Sequence, residues 1–481
     1  MYQSPTTPRA HQLDALARLH EHPEAFALLM EMGTGKTKVI LDEWGERVSR
    51  GELNDLLVLA PAGAYDNWCR ISEEDPGEIQ KHLDADLRYR TTVFKWKSSK
   101  KKLALGLLAV RGPRILVMNT EALSSVVAAQ ELCEKFLSRG CAMMVVDEST
   151  AIKSPRARRT RSVLKLGSLA ACRRIATGLV APRSPLDLYT QFEFLDWRIL
   201  GFQSFYAFRA RYAITKKMMF GGRKVQLVVG YRNVEELQQR IAPYSFRVLK
   251  EDCLDLEPKT YETRDVQLSA EQLRLYTEIK KYATTALDAT HHVTATAVIT
   301  QILRLHQLLC GQLVDELGTV HDIPERRTDE LVAILEEHAG KAIIWTAYGA
   351  SLNKISARLR KEFGPNSVAQ FWGGNRNDRE DDERRFKTDP ECRFMVATPQ
   401  AGGKGNTWTV ANLVVYYSNT YDLEARAQSE DRPHRDGQTQ KVTYVDLVAR
   451  GTVDEKILQA LRKKIDMATI ISGDNYREWL I

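Results

Sequence analysis

The chain has 481 residues, 43% hydrophobic and 27% charged, with a formal net charge of +7 from 69 basic and 62 acidic side chains. That length exceeds one ordinary core and suits two soluble globular domains of about 200 residues each. The charge permits a polyanionic partner without demanding one. Seven cysteines (Cys69, Cys133, Cys141, Cys172, Cys253, Cys310, Cys392) are scattered and never spaced Cys-x-x-Cys. That spacing argues against a zinc site or disulfide framework and fits a reducing compartment. Met1–Ala10 lacks the apolar core of a signal peptide, and no apolar run approaches the ~20 residues that span a bilayer. The expectation is a cytoplasmic protein with no membrane association.

In chain order, the apolar run Phe26–Met30 reads as a buried strand. It leads through Met32-Gly33-Thr34-Gly35-Lys36-Thr37 into a helical pattern over Lys38–Val48. Further runs at Leu56–Ala60, Ile115–Asn119, Met143–Asp147 and Arg174–Thr177 have the length and bounding residues of parallel strands. The middle differs in being aromatic and basic. Leu195–Leu249 reads as a helical addition with a hairpin turn at Phe220-Gly221-Gly222-Arg223, and Ser269–Leu313 reads as mostly helical. Glu257-Pro258-Lys259 is the candidate hinge. Strand patterns resume at Ala342–Thr346, Arg393–Thr398, Leu413–Tyr417 and Val442–Leu447, with helical patterns at Leu352–Phe363 and Asp454–Ile465. The fold class expected is α/β: two parallel-sheet lobes, 1–255 and 256–481, with insertions at about 195–250 and 268–325.

Three distant segments make chemical sense together. Gly33, Thr34 and Gly35 let backbone N–H groups approach phosphate oxygens at a helix N-terminus. Lys36 would reach the β- and γ-phosphates and Thr37 would bind Mg²⁺. Asp147, at a strand end, can hold the same ion, and Glu148 can orient and deprotonate water. Arg432 and Arg435 lie three apart, which on a helix puts both on one face, where they could neutralise charge on a γ-phosphate. The pattern predicts ATP hydrolysis with Mg²⁺. A site drawn from such distant pieces suggests lobes that close on the nucleotide.

On these residues the chain resembles the SNF2 family of superfamily 2 helicase-like ATPases, in a compact bacterial or phage-type form. The resemblance runs in order through nearly the whole chain. Pro8-Arg9-Ala10-His11-Gln12 is similar to the adenine-reading motif, which implies that role for Gln12. Leu59-Ala60-Pro61 with Trp68 resembles motif Ia, and Val117-Met118-Asn119-Thr120-Glu121 resembles motif Ib. Asp147 through Ser154 resembles motif II, including Ile152-Lys153. Ala176-Thr177-Gly178 with Pro185-Leu186-Asp187-Leu188-Tyr189 resembles motif III and the segment after it. Phe246-Arg247 with Lys250 resembles the stretch before the second lobe. Ala401-Gly402-Gly403-Lys404-Gly405 resembles motif V, which implies that Gly405 helps hold the nucleotide. The most specific match is Gln428 through Gln438, which implies catalytic roles for Gln428, Arg432 and Arg435. Gly451-Thr452-Val453-Asp454-Glu455 resembles the closing motif.

The resemblance implies two RecA-like lobes and ATP-driven movement along double-stranded DNA by a monomer. It implies nucleic-acid contacts at Pro61, Trp68, Asn119, Lys153 and Thr398. Plain core packing is the alternative for Trp68. Arg156 through Arg161 comes directly after motif II, so Arg158 is a further candidate contact. Lys95-Trp96-Lys97 interleaves an aromatic with cations, although a solvated loop explains it as well. His291-His292 reads as a surface pair. Some positions depart from the family pattern. Leu179-Val180 stands for Thr-Pro, Arg183 for Asn, Thr150 for the acidic-box His, and Asp436 for an apolar residue. Motif III and that His couple hydrolysis to movement, so coupling is left open. Two alternatives stand beside the translocating motor: a strand-separating DNA or RNA helicase, and a nucleotide-gated DNA clamp with weak hydrolysis. The sequence does not identify a protein partner.

Overall fold

Each apolar run of the first half forms a strand, because each can be covered on both faces. A computed structural model describes residues 2–62, 64–73, 76–182, 184–220, 223–289, 295–315, 319–375, 377–402 and 406–472. The chain divides into two units. The first comes chiefly from Met1–Ala213 and Tyr231–Asp255, the second from Ile214–Gly230 and Leu256–Asp466.

The first unit holds β1 (Ala25–Met30), β2 (Asp55–Ala60), β3 (Thr92–Lys95), β4 (Arg114–Asn119), β5 (Ala142–Asp147) and β6 (Cys172–Ala176). Next in the chain is a hairpin of β7 (Ala213–Phe220) and β8 (Arg223–Tyr231), nearly all of which is counted with the second unit, and then β9 (Ser245–Val248), which returns to the first. The main sheet runs β3-β4-β2-β5-β6-β1-β9, with every pairing parallel. Alternate residues feed opposite cores. Phe26, Leu28, Leu56 and Val58 pack with Trp44 and Leu16, whereas Ala27, Leu29, Leu57 and Leu59 pack with Phe136 and Phe192. Each buried aliphatic or aromatic side chain contributes about 1.5–3 kcal/mol of transfer free energy.

The second unit holds β10 (Thr260–Asp265), β11 (Gln312–Val314), β12 (Val320–Asp322), β13 (Lys341–Trp345), β14 (Val368–Phe371), β15 (Phe394–Ala397), β16 (Ala411–Tyr416) and β17 (Thr443–Val448). Its main sheet, β10-β17-β16-β13-β15-β14, is also parallel throughout. Both sheets are therefore α/β with crossover helices, as the sequence pattern implied. Among the described residues, no helix is long and apolar enough to cross a membrane.

Two local expectations change. Leu195–Leu249 holds the expected helices and hairpin but also supplies a strand of the main sheet. It contains the helices Phe205–Tyr212 and Val234–Ile241, the β7–β8 hairpin, and β9, which joins the main sheet beside β1. Its aromatic residues extend the core that holds Phe136 and Phe192, with Phe208 and Tyr212 rings 4.8 Å apart. The helix that begins at Leu423 ends at Glu430, so Arg432 and Arg435 stand on the turns beyond it. Pro433 explains the stop, since it supplies no N–H and disfavours a helical residue before it. Gly221-Gly222 and His291-His292 lie outside the described residues.

Candidate nucleotide and nucleic-acid site

In an all-parallel sheet the strands' carboxyl ends share one edge, where ligands bind. In the first unit that edge carries the loop after β1, Pro61 after β2, Asn119 at the end of β4, Asp147 and Glu148 at β5, and Thr177 after β6. Ala60 and Asn119 are register partners, so Pro61 and Asn119 stand on neighbouring strand ends.

The phosphate-type loop owes its shape to its glycines. Gly33 (φ 82°) and Gly35 (φ 89°) occupy the left-handed region. A Cβ on Gly35 would meet Gln12 Nε2 at 2.1 Å. The helix Lys36–Ser49 begins with no side-chain cap, which leaves first-turn N–H groups for an acceptor. Lys36 is buried, and its Nζ donates to Met30 O (3.0 Å) and Glu31 O (3.2 Å). Thr34 Oγ1 donates to Glu31 O at 2.8 Å. Gln12 braces the loop: its Nε2 donates to Thr34 O at 3.2 Å, and its Oε1 accepts from Arg9 N at 3.0 Å. His11 Nε2 also meets Thr34 O, at 2.8 Å. Thr37 is half-buried on the first helical turn.

Asp147 is 9% exposed. Its Oδ2 accepts from Trp68 Nε1 at 2.9 Å, and its Oδ1 accepts from Glu148 N at 3.0 Å. Burial pushes its carboxyl above the usual range. The Trp68 hydrogen bond, the Lys36 charge and the Glu148 N–H oppose that shift. Lys36 and Asp147 are thus close enough to act on each other electrostatically. Glu148 has φ 49°, one of two non-glycine residues with positive φ among those described. A non-glycine residue held there costs of order 1–3 kcal/mol, and such strain clusters at functional positions. Thr37 and Asp147 are the residues that could hold a divalent ion, and no group of three or more His, Cys, Asp or Glu is placed to do so among the described residues. Magnesium suits such a site, because it takes one or two carboxylates and completes its shell with phosphates and water.

Of the two readings open for Trp68, packing describes its place, since it is 2% exposed and serves Asp147. Trp96 is likewise buried, so it is not an aromatic platform among the lysines. Lys153 is half-buried after the turn Ser149–Ile152, and Arg158 is exposed at the start of the helix Arg158–Gly167.

In the second unit, Arg432 is 2% exposed; its Nε donates to Gln428 O at 3.0 Å and its Nη1 to Asn406 O. Gln428 is buried. Arg435 is half-buried and pairs with Asp431 Oδ2 at 2.6 Å. Thr398 lies just after β15 and is 9% exposed, its N–H donating to Phe371 O at 3.2 Å. Gly405 and Arg183 lie outside the described residues.

The sequence reading placed Ser149 and Arg247 in motifs without a role at this edge, and it did not single out Gln191. Arg247 Nη1 donates to Leu29 O (2.7 Å) and Gly178 O (3.1 Å), tying β1 to the turn after β6. The signal for Gln191 is an amide on a helix whose neighbours Leu188, Tyr189, Phe192 and Leu195 are all buried and apolar.

The sequence matches the SNF2-related domain over residues 11–313 and the helicase conserved C-terminal domain over residues 326–437. The chain belongs to the SNF2-related domain family. Relatives of this SNF2-related chain include the TATA-binding protein-associated factor mot1 of Aspergillus fumigatus, 25% identical over 69% of this chain and 20% of that protein. YwqA of Bacillus subtilis is 25% identical over 95% of this chain and 48% of that protein. The human DNA annealing helicase and endonuclease ZRANB3 is 25% identical over 90% of this chain and 37% of that protein. The chain thus spans about half or less of each of these relatives. Among solved structures, the Sulfolobus solfataricus SWI2/SNF2 ATPase core in complex with dsDNA is 21% identical, with a TM-score of 0.42. That match covers 100% of this chain and 96% of that one.

Proposed function

We propose that this SNF2-related chain hydrolyses ATP and uses it to move along double-stranded DNA, displacing or remodelling what is bound there. The observation that carries the reading is the shared edge of the first unit. There Lys36 acts on buried Asp147, and Glu148 is held in a left-handed turn beside it.

Gln12 reads the base, and the N–H groups of Gly33 through Thr37 take the phosphates. Lys36 exchanges its two carbonyl partners for phosphate oxygens. Glu148 orients and deprotonates the attacking water. Thr37 and Asp147 would hold Mg²⁺, which would neutralise charge on the phosphates. A divalent cation would also relieve the cost of burying the Asp147 carboxylate. Arg432 and Arg435 serve the γ-phosphate, Gln428 acts with them in catalysis, and Gly405 helps hold the nucleotide. Pro61, Asn119, Lys153, Arg158 and Thr398 contact the DNA backbone, which gives affinity without sequence preference and strong salt dependence. Trp68 supports Asp147. The lobes are 1–255 and 256–481, hinged near Glu257-Pro258-Lys259, and the protein works as a cytoplasmic monomer in a bacterial or phage-infected cell.

Displacement of a third strand from a triplex tests movement on duplex DNA. The expected result is ATP-dependent release that is absent in Lys36→Ala. Unwinding of tailed duplexes without triplex release would replace this reading with a strand-separating helicase.

A further inference from the structure

The turn that carries Glu148 is tied to the turn after β6 by one buried amide. Ser149 Oγ donates to Gln191 Oε1 at 2.6 Å. Gln191 Nε2 donates to Val180 O at 3.2 Å and Asp187 O at 2.8 Å. Ser149 is fully buried and Gln191 is 1% exposed, so these bonds form out of water. The amide has a single workable orientation. Two carbonyl oxygens face its nitrogen, and carbonyls only accept, so its oxygen must face Ser149 and Ser149 must donate. The adjacent residue grips the other end of the same turn, with Thr190 Oγ1 donating to Ile152 O at 2.5 Å. The helix Leu188–Leu200 therefore holds the Ser149–Ile152 turn at both ends.

The turn after β6 also touches the phosphate-type loop. A Cβ on Gly178 would lie 2.9 Å from both Met32 N and Met32 Cγ. Thr177 Oγ1 closes this turn, donating to Leu179 O at 3.0 Å and accepting from Leu179 N at 3.2 Å. A continuous path of contacts thus runs from Met32 through Gly178 and the Val180 carbonyl to Gln191, Ser149 and Glu148. It passes through Leu179-Val180, where the chain departs from the family pattern.

We infer that Gln191 is a positioning residue that registers Glu148 against the nucleotide loop. The inference rests on the ATP-hydrolysis reading above. A side chain held in a left-handed turn needs its neighbours fixed, and Gln191 fixes Ser149, the next residue in the chain, relative to the loop that meets the phosphates.

The test compares wild type, Gln191→Met, Ser149→Ala and the double variant for kcat, KM for ATP and thermal stability. Methionine keeps the volume and removes every hydrogen bond. The expected result is a fall in kcat of about tenfold to a hundredfold in each single variant, with KM within about threefold, as misplacement of a catalytic group produces. The double variant no longer buries an unmatched Ser149 hydroxyl, although the Val180 and Asp187 carbonyls still lose the amide, so stability should partly recover while kcat stays low and the two effects fail to add. Recovery of kcat together with stability would show a purely structural role and overturn the inference. So would a folded Gln191→Met with kcat within twofold of an active wild type. A wild-type chain that does not turn over ATP overturns both this inference and the function it rests on.

Discussion

The nucleotide edge of the first unit and the arginine segment of the second hold their charges in opposite ways. At the first edge, Lys36 rests on two carbonyls of its own loop, and Asp147 is held by an indole and a backbone N–H. Thr37 and Glu148 are only half-buried. A phosphate can replace the carbonyls on Lys36 without leaving a carboxylate behind. In the second unit, Arg432 is sunk among carbonyls and Arg435 is paired with Asp431. The helix beneath them is anchored by Arg426, which bonds to Glu430 Oε1 (2.5 Å) and Asp446 Oδ1 (2.6 Å) and lies 3.5 Å from the Tyr416 ring centroid. Tyr261 OH adds a bond to Glu430 Oε2 at 2.9 Å. One region leaves its lysine on exchangeable carbonyl partners, and the other holds its arginines in bonds and an ion pair. Breaking a buried, bonded cation should cost stability as well as rate, whereas breaking a poised one should cost rate alone.

The largest expected effect is at the poised lysine. Lys36→Ala should lower kcat by about a thousandfold or more while the fold stays intact, because charge on the phosphates loses its main counterpart. Steady-state turnover with circular dichroism checks both halves, and normal turnover would remove Lys36 from the site. The two arginines should differ from the lysine in costing stability as well. Arg435→Ala should reduce kcat by about a thousandfold and also lower Tm, because it takes the cation away from the buried Asp431 carboxylate. Arg432→Ala should lose activity and also Tm, since it strips bonds from the Gln428 and Asn406 carbonyls. Arginine variants with the Tm of Lys36→Ala would erase the contrast drawn here.

A smaller effect is expected at Trp68. Trp68→Phe keeps the ring and removes the indole N–H from Asp147. Loss of such a supporting bond costs about tenfold to a hundredfold in metal affinity or activity. The measurement is the Mg²⁺ concentration for half-maximal turnover, and no shift would mean that Trp68 only fills space.

The last prediction concerns stability of the second unit alone. His306 is buried, meets Tyr348 OH at 2.7 Å, and lies 3.7 Å from Asp454. Burial pulls its pKa down to about 4, with Arg327 adding to that and Asp454 opposing it, so the ring is neutral at pH 7. A depressed histidine leaves the unfolded chain binding more protons between about pH 6.5 and 4. Stability from this site is therefore full above pH 6.5 and falls by about 3 kcal/mol as pH drops to 4. His306→Gln should flatten that part of the Tm–pH profile, and an unchanged profile would rule the group out.

The buried strands were legible because hydrophobic runs bounded by glycine, proline or charge have few other uses. β1, β2, β4, β5, β6, β13, β15, β16 and β17 all fall within a residue or two of the runs read from the sequence. β10 was not legible. Its Thr-Tyr-Glu-Thr-Arg-Asp is largely exposed at a sheet edge, where a polar sequence pairs as well as an apolar one. β3 and β14 are edge strands of four residues, and β9 hides within an aromatic, basic stretch. At the site, Lys36, Asp147 and Glu148 were legible from residue type and spacing. The Ser149–Gln191–Val180 bonds and the Trp68–Asp147 bond were not, because they join residues that only tertiary packing brings together. The end of the helix at Glu430 was available in Pro433, but the three-residue spacing of the arginines suggested a helix instead.

The most direct measurement is steady-state ATP turnover with no nucleic acid, blunt duplex DNA, single-stranded DNA and duplex RNA, with Lys36→Ala alongside. The proposed function predicts low basal turnover, strong stimulation by blunt duplex DNA, and none of it in Lys36→Ala. Flat turnover across all four conditions, or stimulation confined to single strands, would contradict a motor that works on double-stranded DNA.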